Sequence, residues 1–203
     1  MKVLTKKQSE IKISEGSYTE QMPLLVKTGF TPATVADVIN LELRGQLSFE
    51  EHYDTVSAIA YAGNNKSTFK IIPFSEALKD ITKETKLHDG GIKLTQEQYD
   101  KIQAKEFERK DIIISKKLTQ NQVLEHKGWQ ALIEDKELLK KYVEAVFKQV
   151  LSRSKEKETM GFYIGGPQKE SILRHFFLGK FGTYIVGNYN LVGGRRGRLV
   201  GYK

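Results

Sequence analysis

The sequence predicts an α+β fold in which a helical central region, at about residues 95–152, packs with short antiparallel hairpins at 55–72 and 183–202. Three observations support this prediction. Helix-capping patterns recur in the middle of the chain, apolar segments flank turn residues at both hairpins, and strands do not alternate regularly with helices. Regular alternation would instead predict a doubly wound parallel sheet.

The N-terminal elements are short. Residues 11–13 are apolar and are predicted to form an edge strand. Thr31-Pro32 places a capping hydroxyl before a proline, which favours a helix over the apolar residues that follow. The apolar stretches 55–61 and 68–72 are joined by residues typical of turns, which predicts the first hairpin.

The central region carries the clearest helix signals. Thr95 with Gln98, and Thr119 with Gln122, have the spacing of capping boxes. Residues 135–152 place apolar side chains along one face at helical period. Residues 105–118 are also predicted to be helical, although they contain three consecutive isoleucines that favour β structure.

The chain divides by charge near residue 152. Residues 1–152 are predicted to form a near-neutral α+β core, and 153–203 a basic, glycine- and tyrosine-rich region packed on it as one domain. Of the net charge of +8, +7 lies in residues 151–203. This region reads as a strand, a Gly165-Gly166-Pro167 turn, a helix over 168–177 and the β-ribbon of the second hairpin.

Composition excludes several classes of protein. The chain has no cysteine, which excludes disulfide scaffolds, iron–sulfur clusters and cysteine nucleophiles. No export signal and no apolar stretch long enough to span a bilayer is visible, so we expect a cytoplasmic protein with no membrane partner. No cofactor motif, metal-ligand spacing or catalytic motif is present, so the sequence favours a non-enzymatic protein.

The basic C-terminal region is the leading candidate site. Arginine pairs with phosphate oxygens, and tyrosine rings stack on unpaired bases. We therefore expect a protein that binds RNA or single-stranded DNA by electrostatic phosphate tracking with aromatic stacking. The predicted nucleic-acid-binding residues are Lys180, Tyr184, Tyr189, Arg195, Arg196, Arg198, Tyr202 and Lys203.

Two other interpretations remain open. The C-terminal ribbon is alternatively a protein–protein arm of an assembly subunit, since residues 181–194 carry no charge at all. If the protein is an enzyme, the candidate active-site residues are His52, Asp54 and the Gly165-Gly166 turn. That turn could also hold an anion, although an ordinary connection is the simpler interpretation.

The remaining titratable residues favour structural roles. The four histidines are far apart and form no metal-binding helical pair. Two carboxylate clusters occur among polar residues, which is typical of solvated faces. Their members are Glu50, Glu51 and Asp54 in one, and Glu106, Glu108 and Asp111 in the other.

Overall fold

A computed structural model describes residues 10–181, 183–188 and 197–203. Their strands are β1 Ile11–Gly16, β2 Thr31–Pro32, β3 His52–Tyr61, β4 Thr68–Ile72, β5 Leu87–His88, β6 Gly91–Lys93, β7 Lys105–Glu108, β8 Ser115–Thr119, β9 Glu158–Tyr163, β10 Ile172–Phe181, β11 Thr183–Asn188 and β12 Gly197–Tyr202. The helices are α1 Tyr18–Lys27, α2 Val35–Leu43, α3 Glu76–Lys79, α4 Gln96–Lys101, α5 Gln120–Glu125, α6 Lys127–Ile133 and α7 Lys136–Leu151, with a 3₁₀ turn at Arg109–Asp111.

The strands form one mixed sheet of 12 strands whose main path runs β1-β12-β3-β10-β11-β9-β8. The β12–β3 and β11–β9 pairs are parallel, and β10 is antiparallel to both β3 and β11. The longest pairing joins β3 to β10, from Tyr61 opposite Ile172 to His52 opposite Gly179, with a bulge between His175 and Phe177. The shorter strands β2, β4, β5, β6 and β7 attach beside this path.

The centre of the sheet is buried on both faces. Along β3, Ile59 and Tyr61 point into a core shared with α2, α5, α6 and α7. Val56, Ala58 and Ala60 point into a second core shared with α1, α3 and α4. Because successive strand residues face opposite sides, β3 separates the two cores and contributes to both.

Several helix starts follow the sequence signals. Thr95 Oγ1 accepts from the backbone N–H of Gln98 at 3.1 Å, and Thr119 Oγ1 accepts from that of Gln122 at 3.3 Å. These two capping boxes are confirmed. The first predicted helix begins later than expected, because Thr31-Pro32 lies in β2 and the N-cap of α2 is Thr34.

The predicted arrangement of a helical central region packed with hairpins is wrong. Residues 105–118, predicted to be helical, contain β7 and part of β8. The predicted hairpin at 183–202 does not form, since β11 and β12 do not pair and are separated in the sheet by β10 and β3. The strands at 55–72 do pair antiparallel as β3 and β4, but within the large sheet.

The predicted helix at 168–177 is also replaced by a strand, β10. Nearly every described residue of β10 is buried, because cores lie on both of its faces. Such a strand lacks the alternation of apolar and polar residues that marks a half-buried strand, so its sequence resembles a buried helix.

Among the described residues, no helix is both long and apolar enough to cross a membrane.

A buried carboxyl group lies between α2 and α7. Glu42 is 2% exposed, and its Oε2 has no hydrogen-bond partner within the described residues. Burial raises the pKa of Glu42 to about 8, an effect that the hydrogen bond from the Tyr142 hydroxyl partly opposes. Glu42 is therefore protonated in the folded protein at pH values where an unfolded chain would have released the proton.

We expect Glu42→Gln to remove a pH dependence of stability. Because the pKa is raised in the folded state, the stability from this group is complete below its ordinary value of 4.5 and is lost as the pH rises to about 8. The loss amounts to at most about 1.4 kcal/mol per pH unit. Urea unfolding of both proteins from acid to mildly alkaline pH measures the difference, and parallel curves would contradict the prediction.

Candidate nucleic-acid interface

The eight predicted binding residues fall on three strands and the segment between them. Lys180 in β10 lies opposite Tyr184 in β11 in the strand register. Tyr189, Arg195 and Arg196 lie outside the described residues. The remaining residues lie in β12 or directly after it: Arg198, Tyr202 and Lys203.

Arg198 is paired with acidic residues. Its Nε lies 3.2 Å from Glu15 Oε1, and its Nη1 lies 2.5 Å from Glu51 Oε2. The two carboxylates come from β1 and from the residue before β3, which flank β12 in the sheet. Arg198 therefore ties β12 to its neighbours, and its charge is compensated within the protein.

Tyr202 and Lys203 also have partners within the protein. The Tyr202 hydroxyl donates to Asp37, and burial together with this carboxylate raises the pKa of Tyr202. The Lys203 ammonium lies 4.2 Å from the centre of the Phe30 ring, a cation–π contact. Of these two side chains, that of Tyr202 is half-buried and that of Lys203 is exposed.

A buried pair of side chains, Asp54 and His175, lies beside the start of β12. His175 Nε2 lies 3.0 Å from Asp54 Oδ1, and the His175 side chain is 3% exposed. The ring of Tyr18 packs on that of His175 with centroids 4.7 Å apart. The other carboxylate oxygen of Asp54 lies beside Gly197, where an added Cβ would be 1.9 Å from Oδ2. The Asp54 carboxylate therefore contacts His175 in β10 on one side and lies close against Gly197 in β12 on the other.

Sequence reasoning missed this pair. It noted Asp54 because His52 is two residues away, but the histidine that contacts the Asp54 carboxylate is 121 positions distant. No local signal indicates such a contact, because it depends on the register of β3 against β10. Both side chains of the Asp54–His175 pair are buried, which suits a structural role.

His88 and His126 also have partners within the protein. His88 Nε2 lies 2.6 Å from Glu170. His126 caps α6, because its Nδ1 accepts from the backbone N–H groups of Gly128 and Trp129. Burial lowers the pKa of His126, which favours the neutral ring whose Nδ1 can accept these hydrogen bonds. Within the described ranges, no group of three or more His, Asp or Glu side chains is arranged to hold a metal ion.

The two carboxylate clusters differ in their surroundings. Glu50 pairs with Arg153 at 2.7 Å, while Glu51 pairs with Arg198. Glu106 accepts from the Tyr99 hydroxyl at 2.7 Å. The second cluster lines an open cleft of about 310 Å³ together with two lysines; its lining residues are Thr68, Lys105, Glu106, Phe107, Glu108, Asp111 and Lys127.

The Gly165-Gly166-Pro167 turn does not precede a helix, so the predicted helix N-terminus is absent there. The Gly165 N–H donates to the Tyr61 hydroxyl at 2.8 Å. The turn instead connects β9 to β10. The anion site expected from the sequence, which required a helix to begin after this turn, is therefore not formed by a helix N-terminus.

Comparison with known proteins identifies the fold. No family model and no curated protein matches the sequence. A solved structure described as "Accommodation of massive sequence variation in Nanoarchaeota by the C-type lectin fold" superposes with a TM-score of 0.74 at 16% identity, covering 99% of this chain and 100% of the other. The chain thus has a C-type lectin fold, which corrects the predicted arrangement of helices and hairpins.

We expect Gly197→Ala to destabilise the protein by about 1–3 kcal/mol, because the new methyl group would overlap the Asp54 carboxylate. Gly166→Ala is the matched control, since nothing lies within 4 Å of the position its Cβ would take. Thermal unfolding of both variants checks this expectation. Equal effects of the two substitutions would show that the contact with Asp54 does not constrain β12.

Proposed function

Taking the C-type lectin fold as the scaffold, we propose that this chain is a non-enzymatic binding protein whose ligand is RNA or single-stranded DNA. The observation that carries the proposal is the position of the charge. Nearly the whole excess of +8 lies in residues 151–203, the part of the chain that supplies β9 to β12. An excess of positive charge on one part of a protein attracts polyanions such as nucleic acid.

The proposed contacts divide between phosphate and base. Arg195 and Arg196 immediately precede the anchored Gly197 and would pair with phosphate oxygens. Tyr184 and Tyr189 would stack on unpaired bases, which a duplex does not offer. Lys180 lies opposite Tyr184 in the strand register and would add a further cation.

The ion pairs of β12 refine this assignment. Arg198 is compensated by Glu15 and Glu51, so we assign it to the sheet rather than to the ligand. The Tyr202 hydroxyl is likewise engaged by Asp37. Lys203 remains a surface cation, held over the Phe30 ring. The proposal therefore rests chiefly on the residues between β11 and β12 and on the β10–β11 pair.

The composition of residues 181–194 favours a second candidate function, recognition of a protein partner. These fourteen residues are uncharged and rich in Tyr, Asn and Gly, a composition typical of antibody loops. The similar solved structure is described as showing that the C-type lectin fold accommodates massive sequence variation. In this candidate function, the segment would vary in sequence while the sheet stays unchanged. Strands β11 and β12 themselves would not add to a partner's sheet, since each already has sheet partners on both sides.

We expect the double variant Arg195→Gln/Arg196→Gln to weaken binding of a labelled single-stranded RNA by the full chain. The slope of log affinity against log salt should decrease in magnitude by about 1.4, or 0.7 for each cation lost. Arg198→Gln is the matched control and should leave that slope unchanged, because its charge is already compensated. The full chain is required, since ending it after β10 would remove β11 and β12 from the sheet.

Three results would contradict the nucleic-acid proposal or the residues assigned to it. An unchanged slope in the double variant would contradict the assignment of Arg195 and Arg196. An effect of Arg198→Gln as large as that of the double variant would contradict the division between sheet and ligand residues. Absence of any RNA binding by the unmodified chain would overturn the nucleic-acid proposal and leave protein recognition as the candidate.

Protein recognition by a variable segment has its own expected outcome. Substituting Tyr189→Ser and Asn190→Ala should change the Tm by no more than about 2 °C, since residues of a tolerant segment contribute little to stability. Gly201→Ala is the contrasting control and should lower the Tm further, because its Cβ would lie 2.8 Å from Leu25 Cδ1. A large loss of Tm from the Tyr189 and Asn190 variants would show that the segment belongs to the core.

A further inference from the structure

Two arginine side chains from distant parts of the sequence meet at the turn between β9 and β10. Arg109 Nη1 donates to the Gly165 carbonyl oxygen. The Arg174 guanidinium lies 5.9 Å from the centre of the Tyr61 ring, and a Cβ on Gly165 would be 3.5 Å from Arg174 Nη1. Both guanidinium groups therefore lie beside the same residue, where their charges repel each other.

The acceptors that hold these arginines are neutral. Arg109 donates to a backbone carbonyl, and Arg174 Nη2 donates to the Asp89 carbonyl at 2.8 Å and to Gln168 Oε1 at 3.4 Å. Across residues 10–181, 183–188 and 197–203, neither guanidinium forms an ion pair with a carboxylate. This differs from Arg198, whose charge is compensated by two acids.

The acidic side chain nearest to Arg174 along the sequence, Glu170, already has other partners. Glu170 lies 2.6 Å from His88 Nε2 and 2.5 Å from Lys93 Nζ. Both contacts lower the pKa of Glu170, the hydrogen bond from Lys93 having the larger effect. The Glu170 carboxylate is therefore engaged by Lys93 and His88, and it forms no ion pair with Arg174.

The surface beside Arg109 is a shallow depression whose lining includes hydrogen-bond donors and no acidic residue, and Arg174 lies outside this lining. A third cation, Lys66, contributes to its wall; the lining residues are Tyr61, Lys66, Ser67, Thr68, Phe69, Arg109, Gly165, Gly166 and Pro167. Nothing lies within 4 Å of the position that a Cβ on Gly166 would take, so a ligand can approach the backbone there.

Two buried groups beside Gly165 also support an anionic ligand. Arg174 Nε is buried and has no hydrogen-bond partner among the described residues. Burial raises the pKa of Tyr61, and this effect outweighs the opposite effect of the two arginines. The Tyr61 phenol therefore keeps its proton while it accepts from the Gly165 N–H.

We propose that Arg109, Arg174 and Lys66 form an oxyanion site at the Gly165-Gly166 turn, and that its ligand is a phosphate group. Guanidinium forks match the oxygens of a phosphate, and a bound anion would remove the repulsion between the arginines. The source of the phosphate is either free phosphate or, if the proposed function holds, the backbone of the bound single strand. This site lies outside the predicted C-terminal residues and gives a nucleic-acid strand a second point of attachment.

The first test uses inorganic phosphate and pyrophosphate as probes. We expect amide chemical shifts of the full chain to change at Gly165, Gly166 and Ser67 during titration at low ionic strength. Lys66→Gln/Arg109→Gln should abolish these changes, because the two glutamines carry no charge. Arg153→Gln removes a positive charge that is paired with Glu50 and should leave them intact.

The same variants are then tested with single-stranded RNA across a range of salt. If RNA is the source of the phosphate, the Lys66→Gln/Arg109→Gln double variant should reduce the salt slope by about 1.4, as expected for two lost cations. Arg153→Gln should leave the slope unchanged. The amide spectrum of each variant reports whether it is folded. If the double variant fails to fold, Lys66→Gln alone replaces it in the test, because Lys66 is exposed.

The outcomes separate the site from the proposed function. Phosphate shifts at the turn without RNA binding by any variant would support the site and overturn the nucleic-acid proposal. RNA binding that the double variant leaves unchanged, with no phosphate shifts at Gly165 and Gly166, would overturn the site and leave the proposed function standing. Phosphate shifts spread evenly over the surface lysines would also overturn the site.

Discussion

The antiparallel pairing of β3 with β10 is the constraint on which the rest of the structure depends. It joins residues more than one hundred positions apart and is buried under helices on both faces. At its bulge, Thr55 Oγ1 donates to the Phe176 carbonyl at 2.7 Å, which satisfies a backbone group that the irregular ladder leaves unpaired. The Asp54–His175 contact crosses the same two strands. Core packing and the position of β12 therefore follow from one strand register.

The sheet also determines which charges are available at the surface. β12 lies between β1 and β3, and its Arg198 meets carboxylates on both sides. At the Gly165 turn, by contrast, the loop with Lys66, the 3₁₀ turn with Arg109 and strand β10 with Arg174 bring cations together, and none of the described ion pairs joins either arginine to a carboxylate. The net charge of a sequence segment is therefore an upper bound on the charge that a ligand would meet, because part of it is compensated by neighbours in space.

The sequence predicted what depends on neighbours along the chain. The capping boxes at Thr95 and Thr119 involve residues three positions apart, and both are confirmed. The fold class was wrong because β10 is buried on both faces and lacks the alternation that would distinguish it from a helix. The partners of Asp54 and Arg198, and the meeting of Arg109 with Arg174, depend on strand register and have no local signature.

The insertion of β12 between β1 and β3 has a consequence for how the protein folds during synthesis. Residues 11–16 pair with residues 197–202, so the first strand has no lateral partner until more than 180 further residues have been made. Closing so long a loop is entropically costly, and topologies dominated by distant pairings fold slowly. The nascent chain would expose β1 and the edge of β3 throughout translation. Such unpaired edges are targets for aggregation, so folding in the cell would benefit from a chaperone that shields them.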